Sequence, residues 1–334
     1  MGRRLTDQQR ARIASIQATR RQRLESRADR ALGSAMEEAQ RPGRVIVRHG
    51  QNLLVEDESG ALHQCLFRQN LGDVVCGDRV AWQATGPAAG VVTARLERTA
   101  ALARPDYSGR DKALAANLSQ LVVVIAPRPE PNEYLVDQYL AAAELIGVGA
   151  LVAINKIDLV DGLADEVLRA RFAHYARIGY PLVAVSARRA RGLEPLTALL
   201  SGQVSVLVGQ SGVGKSSLVN ALLPDRDAQT GRLSESTGHG RHTTSAATLY
   251  HLPGGGDLID SPGVRSFRLG RLDRRQLEQG FRELRVHLGR CQFRDCTHDH
   301  EPGCAVKAAV AAGEVDPRRL ANFLHLAAGL PPPF

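Results

Sequence analysis

The stretch Gly209, Gln210, Ser211, Gly212, Val213, Gly214, Lys215, Ser216 and Ser217 reads GQSGVGKSS, directly after the apolar run VSVLV and before the helix-like SSLVNALL. Glycines at its first and sixth places let successive backbone N–H groups curl around a phosphate, and the following helix start adds positive potential. Lys215 would bridge two phosphates of a nucleoside triphosphate, and Ser216 would bind its Mg²⁺. The alternative is a glycine turn with an incidental lysine, but the strand before and the helix after are the context that this chemistry requires.

A second polar cluster closes another apolar strand, in INKIDL, with Asn155, Lys156 and Asp158. The Asp158 carboxylate can accept two hydrogen bonds from guanine's N1–H and 2-amino edge, which adenine lacks. A site built on such bonds can discriminate by a factor on the order of 10⁴. Asn155 would address the opposite edge of the base and the Lys156 stem would cover the ring. In VSA, Ser186 and Ala187 also follow a strand and would place a backbone N–H at guanine O6. Alone, N-K-x-D is also what a plain strand-end turn looks like.

Two further clusters complete the candidates. LIDSPG puts Asp260 at a strand end, suited to Mg²⁺, with the Gly263 N–H available to a terminal phosphate; GRHTT offers Thr243 or Thr244 as a further metal ligand, the pattern not saying which. His242 is a candidate catalytic helper, against the plainer reading of a loop histidine. CQFRDCTHDHEPGC holds Cys291, Cys296, His298 and Cys304. Three thiolates and one imidazole fill a tetrahedral structural Zn²⁺ site and leave no position open for catalysis. By spacing alone His300 rivals His298, and free cysteines beside surface histidines are the plainer alternative.

Positioning these groups takes an α/β framework. QLVVVIAP, GALVAINKIDL, PLVAVSA, VSVLV and GDLID read as strands, separated by the helices EYLVDQYLAAAELIG, a polar one near 163–178, GLEPLTALLSG and SSLVNALL. Alternating strands and helices predict a mainly parallel sheet covered on both faces. Ahead of it, RVIVRHG, NLLVEDESG, LHQCLFRQ, VVCGDRVAWQAT and GVVTARLE predict a five-strand barrel, OB-like or SH3-like, with RPDYSGRDKALAANL as a connector. DRRQLEQGFRELRVHLG opens a helical region around the cysteines.

The chain has 334 residues, 43% of them apolar, and a formal charge of +8. That is long enough for two or three domains and excludes fibrous and wholly disordered classes. Residues 1–44 carry eleven arginines against five acidic residues, an arm suited to nucleic acid, or else a solvated helix. No run approaches the ~20 apolar residues that span a bilayer. Five cysteines, three of them crowded together, fit a reduced compartment such as the cytoplasm and a metal rather than disulfides. Cys65 and Cys76 lie in strand-like surroundings and read as buried thiols.

In an ordinary GTPase the phosphate loop precedes the base reader; here the order is inverted. Base reader, VSA, phosphate loop, GRHTT and DSPG in this sequence resemble the circularly permuted GTPases, and with a barrel in front and a Cys/His cluster behind, the chain from about residue 42 onward resembles the RsgA family. The resemblance implies a multidomain protein: a basic extension (1–41), an OB-fold barrel (42–104), a circularly permuted P-loop GTPase domain (105–270) and a helical zinc-binding domain (271–334). It implies GTP and GDP with Mg²⁺, one structural Zn²⁺ held by His298 rather than His300, and catalytic roles for Lys215, Gly263 and His242. It also implies a cytoplasmic monomer that binds 16S rRNA and the 30S subunit late in assembly, with GTP hydrolysis governing release. Val264 stands where many GTPases place a water-orienting glutamine, which implies slow hydrolysis without help. Against this stand a non-catalytic RNA scaffold and a metal-insertion GTPase; intact Lys215, Ser216 and Asp260 argue against the scaffold.

Overall fold

The structure is a computed structural model that describes residues 39–68, 71–105, 111–237, 247–260 and 272–330. These divide into two compact units, one holding the residues up to Arg98 together with those between Ala228 and Thr248, the other holding Thr99–Asp227 and the chain from Leu249 onward.

In the first unit, short β-rich apolar runs divided by turns form β1 (Arg41–His49), β2 (Asn52–Glu56), β3 (Leu62–Phe67), β4 (Arg79–Gly86) and β5 (Ala89–Arg95). β1 pairs antiparallel with both β2 and β4, β2 with β3 and β4 with β5, while β3 runs parallel to β5. This closes the circuit β1-β2-β3-β5-β4-β1, the five-strand OB arrangement, and decides between the two barrels that periodicity left open. Trp82 is fully buried at the centre with Val45, Leu53, Val55 and Val80. Gly43 and Gly90 make room for it, since a Cβ on either would lie within 3.0 Å of the indole. Cys65 is buried there, and burial pushes its thiol up to about 12.

The second unit begins with a hairpin, β6 (Ala101–Pro105) paired antiparallel with β7 (Asp111–Ala116), where the sequence pattern gave a connector. The polar, glycine-containing run between the two strands hides their pairing. The main sheet then contains β8 (Gln120–Ile125), β9 (Gly149–Ile154), β10 (Leu182–Ala184), β11 (Val204–Val208), β12 (Thr248–His251) and β13 (Asp257–Asp260) in the order β10-β9-β8-β11-β13-β12. Pairings among the first five are parallel. The helices are α1 (Glu133–Ile146), α2 (Gly162–Arg177), α3 (Leu193–Leu200), α4 (Lys215–Leu222) and α5 (Arg226–Thr237). Asn132 caps α1 by accepting from the Leu135 N–H, and Gly147 ends it in the left-handed region.

Four short helices follow in the same unit: α6 (Arg274–Gln279), α7 (Arg282–Arg285), α8 (Ala305–Ala311) and α9 (Pro317–Ala328). Their core of Leu277, Phe281, Val306, Val315 and Phe323 packs on Ala141 of α1. Arg319 of α9 is fully buried in this seam. It bonds Asp137 of α1 at 2.7 Å and Glu283 of α7 at 2.5 Å, and its guanidinium lies 4.4 Å from the Phe281 ring centroid. No helix among the described residues is long and apolar enough to cross a membrane.

Candidate functional site

The strands β8, β9, β10 and β11 are parallel, so the loops after β9, β10 and β11 leave from one end of the sheet, where α/β folds place ligands. The phosphate-loop residues follow β11. At Gly209, φ is +136° and a Cβ would stand 2.2 Å from the Val124 carbonyl of β8, so the loop needs glycine to leave the sheet this closely. Gln210 accepts from the backbone N–H of Asn132 at 3.1 Å, tying the loop to the start of α1. Lys215 opens α4, and its Nζ curls back to donate to the carbonyls of Gly209 at 2.7 Å and Gln210 at 2.6 Å. Ser216 and Ser217 are exposed in the first turn of the same helix.

Asn155, at the end of β9, is buried at 1% exposure. Its Nδ2 donates to the Val213 carbonyl at 2.9 Å, and its Oδ1 accepts from the Ala187 N–H at 3.1 Å. One side chain thus joins the phosphate loop to the loop after β10. Spacing suggested Asn155 and the Ala187 N–H as base contacts; the structure adds that Asn155 joins the two loops, because a buried amide must satisfy its own donor and acceptor. Gly214 leaves the room: a Cβ there would stand 2.5 Å from Asn155 Nδ2. Lys156, in the left-handed region, crosses to the phosphate loop and donates to the carbonyls of Arg128 and Gly212.

The Asp158 carboxylate accepts from Ser186 Oγ at 2.5 Å. That hydroxyl, with the positive Arg188 and Arg189 beyond it, holds Asp158 below the usual carboxylate range, so it is charged and acceptor-only at neutral pH. Ser186 itself is fully buried, and its Oγ accepts from the Arg189 N–H at 3.1 Å. The hydroxyl is therefore fixed from both sides, an orienting role that spacing did not reveal.

Asp260 ends β13, as expected for a metal-side carboxylate. The structure adds a partner that no local pattern signalled: Arg226, at the start of α5, bonds Asp260 Oδ2 at 2.8 Å, reaches Asn220 Oδ1, and lies 5.4 Å from the Tyr250 ring centroid. Ser216 and Asp260 are hard oxygen donors of the type that suits Mg²⁺. His242, Thr243, Thr244 and Gly263 lie outside the described residues.

In the C-terminal helices the four cysteine and histidine candidates converge. Ligand atoms of Cys291, Cys296, His298 and Cys304 all lie within 4.8 Å of one another. His298 presents Nδ1 at 3.4 Å from Cys304 Sγ and 3.6 Å from Cys291 Sγ, while its Nε2 faces Glu278 at 3.4 Å. A carboxylate behind a ligating imidazole fixes its tautomer and orientation. His300 points elsewhere, with a side chain 83% exposed beside Asp299. The cluster is compatible with zinc: three soft thiolates and one imidazole form a tetrahedral donor set.

Residues 95–270 match the family model of the RsgA GTPases. The small ribosomal subunit biogenesis GTPase RsgA of Azotobacter vinelandii is 49% identical over 99% of this chain and 98% of its own length. Among solved structures, YjeQ from Thermotoga maritima matches with a TM-score of 0.73 at 31% identity, covering 88% of this chain and 100% of that one. YloQ, a circularly permuted GTPase, matches with a TM-score of 0.70 at 27% identity, covering 90% of this chain and 99% of that one. Fold, loop order and full-length relatives agree, and the chain belongs to the RsgA family of GTP-hydrolysing enzymes.

Proposed function

We propose that this GTPase acts in assembly of the small ribosomal subunit, binding the 30S particle through 16S rRNA and using GTP hydrolysis to control its release. The observation that supports the nucleotide half is the Asn155 clamp. It holds the loop expected to grip phosphates and the loop expected to flank the base at a fixed mutual distance, as one GTP molecule requires.

In this reading Asp158, oriented by Ser186, accepts from the guanine edge, and Lys156 covers the ring. Gly209 to Ser217 cradle the phosphates through backbone N–H groups, with the Lys215 ammonium on the β- and γ-oxygens. Mg²⁺ would be held by Ser216, Asp260 and Thr243 or Thr244, and when bound it neutralises charge on the transferring phosphoryl group. Gly263 would offer an N–H to that group, with His242 as the candidate helper for the attacking water. Cys291, Cys296, His298 and Cys304 would hold one structural Zn²⁺, bracing the turn-rich segment that leads into α8. The domain reading is a basic extension to residue 41, a barrel to 104, the GTPase domain to 270 and the zinc module to 334, in a cytoplasmic monomer. The barrel is of a class that binds oligonucleotides.

The deciding experiment is multiple-turnover phosphate release from GTP and from ATP, titrated with purified small subunits. Release confined to GTP and raised by subunits supports the proposal. Equal rates with ATP, or no response to subunits, overturns it. Lys215→Ala should abolish release while leaving the fold intact.

A further inference from the structure

The loop after β10 carries three arginines, of which Arg188 and Arg189 favour the charge on Asp158 from a distance while their guanidinium groups stay exposed. Arg188, Arg189 and Arg191 are all exposed, and none has an ion-pair partner among the described residues. The loop beneath them is closely specified. Ser186 N donates to Arg191 O at 2.8 Å and Arg191 N returns the bond to Ser186 O at 3.2 Å. Gly192 has φ +68°, and a Cβ there would stand 2.2 Å from the Ala184 carbonyl. The arginines thus project from a fixed base rather than from a floppy turn.

Three guanidinium groups within four residues, followed by a single acid at Glu194, make a surface for a polyanion. Guanidinium forks match phosphate oxygens in geometry and stay charged throughout the working pH range. A phosphodiester backbone supplies such groups at regular short intervals, which a folded acidic protein surface does not.

We propose that the loop of residues 186–191 docks on the phosphate backbone of RNA, and that this docking is linked to guanine recognition. The link is one hydroxyl: Ser186 Oγ donates to Asp158, accepts from the Arg189 N–H, and sits in the same short hairpin as all three arginines. Any shift that RNA imposes on the hairpin is felt by the base-reading carboxylate, and by linkage the bound nucleotide changes RNA affinity by the same factor. The inference rests on the small-subunit reading above.

The test uses the intact chain carrying R188Q, R189Q and R191Q together, substitutions at exposed positions. Affinity for purified small subunits and for protein-free 16S rRNA is measured across a salt series. The slope of log K against log salt should fall by about two to three relative to the parent with both targets. GTP affinity without RNA is read on R191Q alone, which leaves Arg188 and Arg189 beside Asp158; it should stay within about two-fold of the parent while the salt slope falls by about one. Adding rRNA should shift the parent's Kd for GTP or GDP but not that of the triple variant. An unchanged slope overturns the docking assignment. A loss seen with subunits but not with naked rRNA overturns RNA in favour of a protein partner, and equal Kd shifts in parent and variant overturn the linkage. If the parent itself binds neither target, the small-subunit reading falls and this inference with it.

Discussion

The nucleotide edge and the C-terminal seam use polar groups in opposite ways. At the nucleotide edge the charged groups lean on neutral partners: Lys215 on two loop carbonyls, Asp158 on a serine hydroxyl. These hydrogen bonds go to groups without charge of their own, and Arg188 and Arg189 add only a longer-range attraction to Asp158. In the seam, charge is balanced internally. Arg319 is enclosed by Asp137 and Glu283, and Asp137 also accepts from Tyr175 at 2.6 Å and Asn322 at 2.6 Å. Although burial works against charge, the two carboxylates hold Arg319 above even its usual range. The first arrangement is open to an outside partner; the second locks α9, α7 and α1 together. Motion of the C-terminal helices relative to α1 therefore has to break this network.

The largest effect should come at the nucleotide edge. Asp158→Asn replaces a pure acceptor by an amide that can face xanthine, and the preference for GTP over XTP should drop by a factor on the order of 10⁴ in competition binding. Unchanged competition would remove Asp158 from the base.

At the seam, Arg319→Ala leaves two carboxylates buried without their cation and should cost about 3–5 kcal/mol in urea unfolding. GTP affinity of the folded protein should be nearly unaffected. Parallel loss of both would show that the two regions are not independent.

A smaller effect tests the clamp. Asn155→Ala strips partners from Val213 O and the Ala187 N–H and should weaken GTP binding and stability together, by about 1–3 kcal/mol. If only stability falls, the two loops do not depend on the clamp for their spacing.

The smallest is a pH effect at the seam's margin. His174 is buried, with Asp316 at 4.0 Å and Arg318 nearby, and burial holds its imidazole below the ordinary value. The folded chain then binds this proton less readily than the unfolded one. The stabilising contribution is complete above about pH 6.5, the unfolded value, and is lost as pH falls through the lower folded value. His174→Gln should flatten the decline of unfolding free energy between about pH 7 and pH 5.

What the sequence disclosed were features whose chemistry demands fixed spacing. The phosphate loop and the Cys/His cluster were legible because phosphate-cradling turns and thiolate-rich metal sites demand fixed spacing, and the barrel because turns bound each short apolar run. Arg226 with Asp260 and Arg319 with Asp137 were not. An ion pair 182 residues apart leaves no local trace, and Arg319, next to Arg318 in an amphipathic helix, looks like solvated surface. Asn155 was found, but its clamp was not, because that depends on where two other loops end. The hairpin of β6 and β7 was missed because short alanine-rich strands carry little periodicity.

The strand order has a consequence for how the protein is made. β8, β9 and β10 neighbour one another in space as well as in sequence, so they can assemble as soon as they emerge during synthesis. β11 inserts on the far side of β8, pairing Ser205 with Gln120. A nascent chain can therefore bring β8, β9 and β10 together before β11, and the Gly209–Ser217 loop that follows it, has emerged.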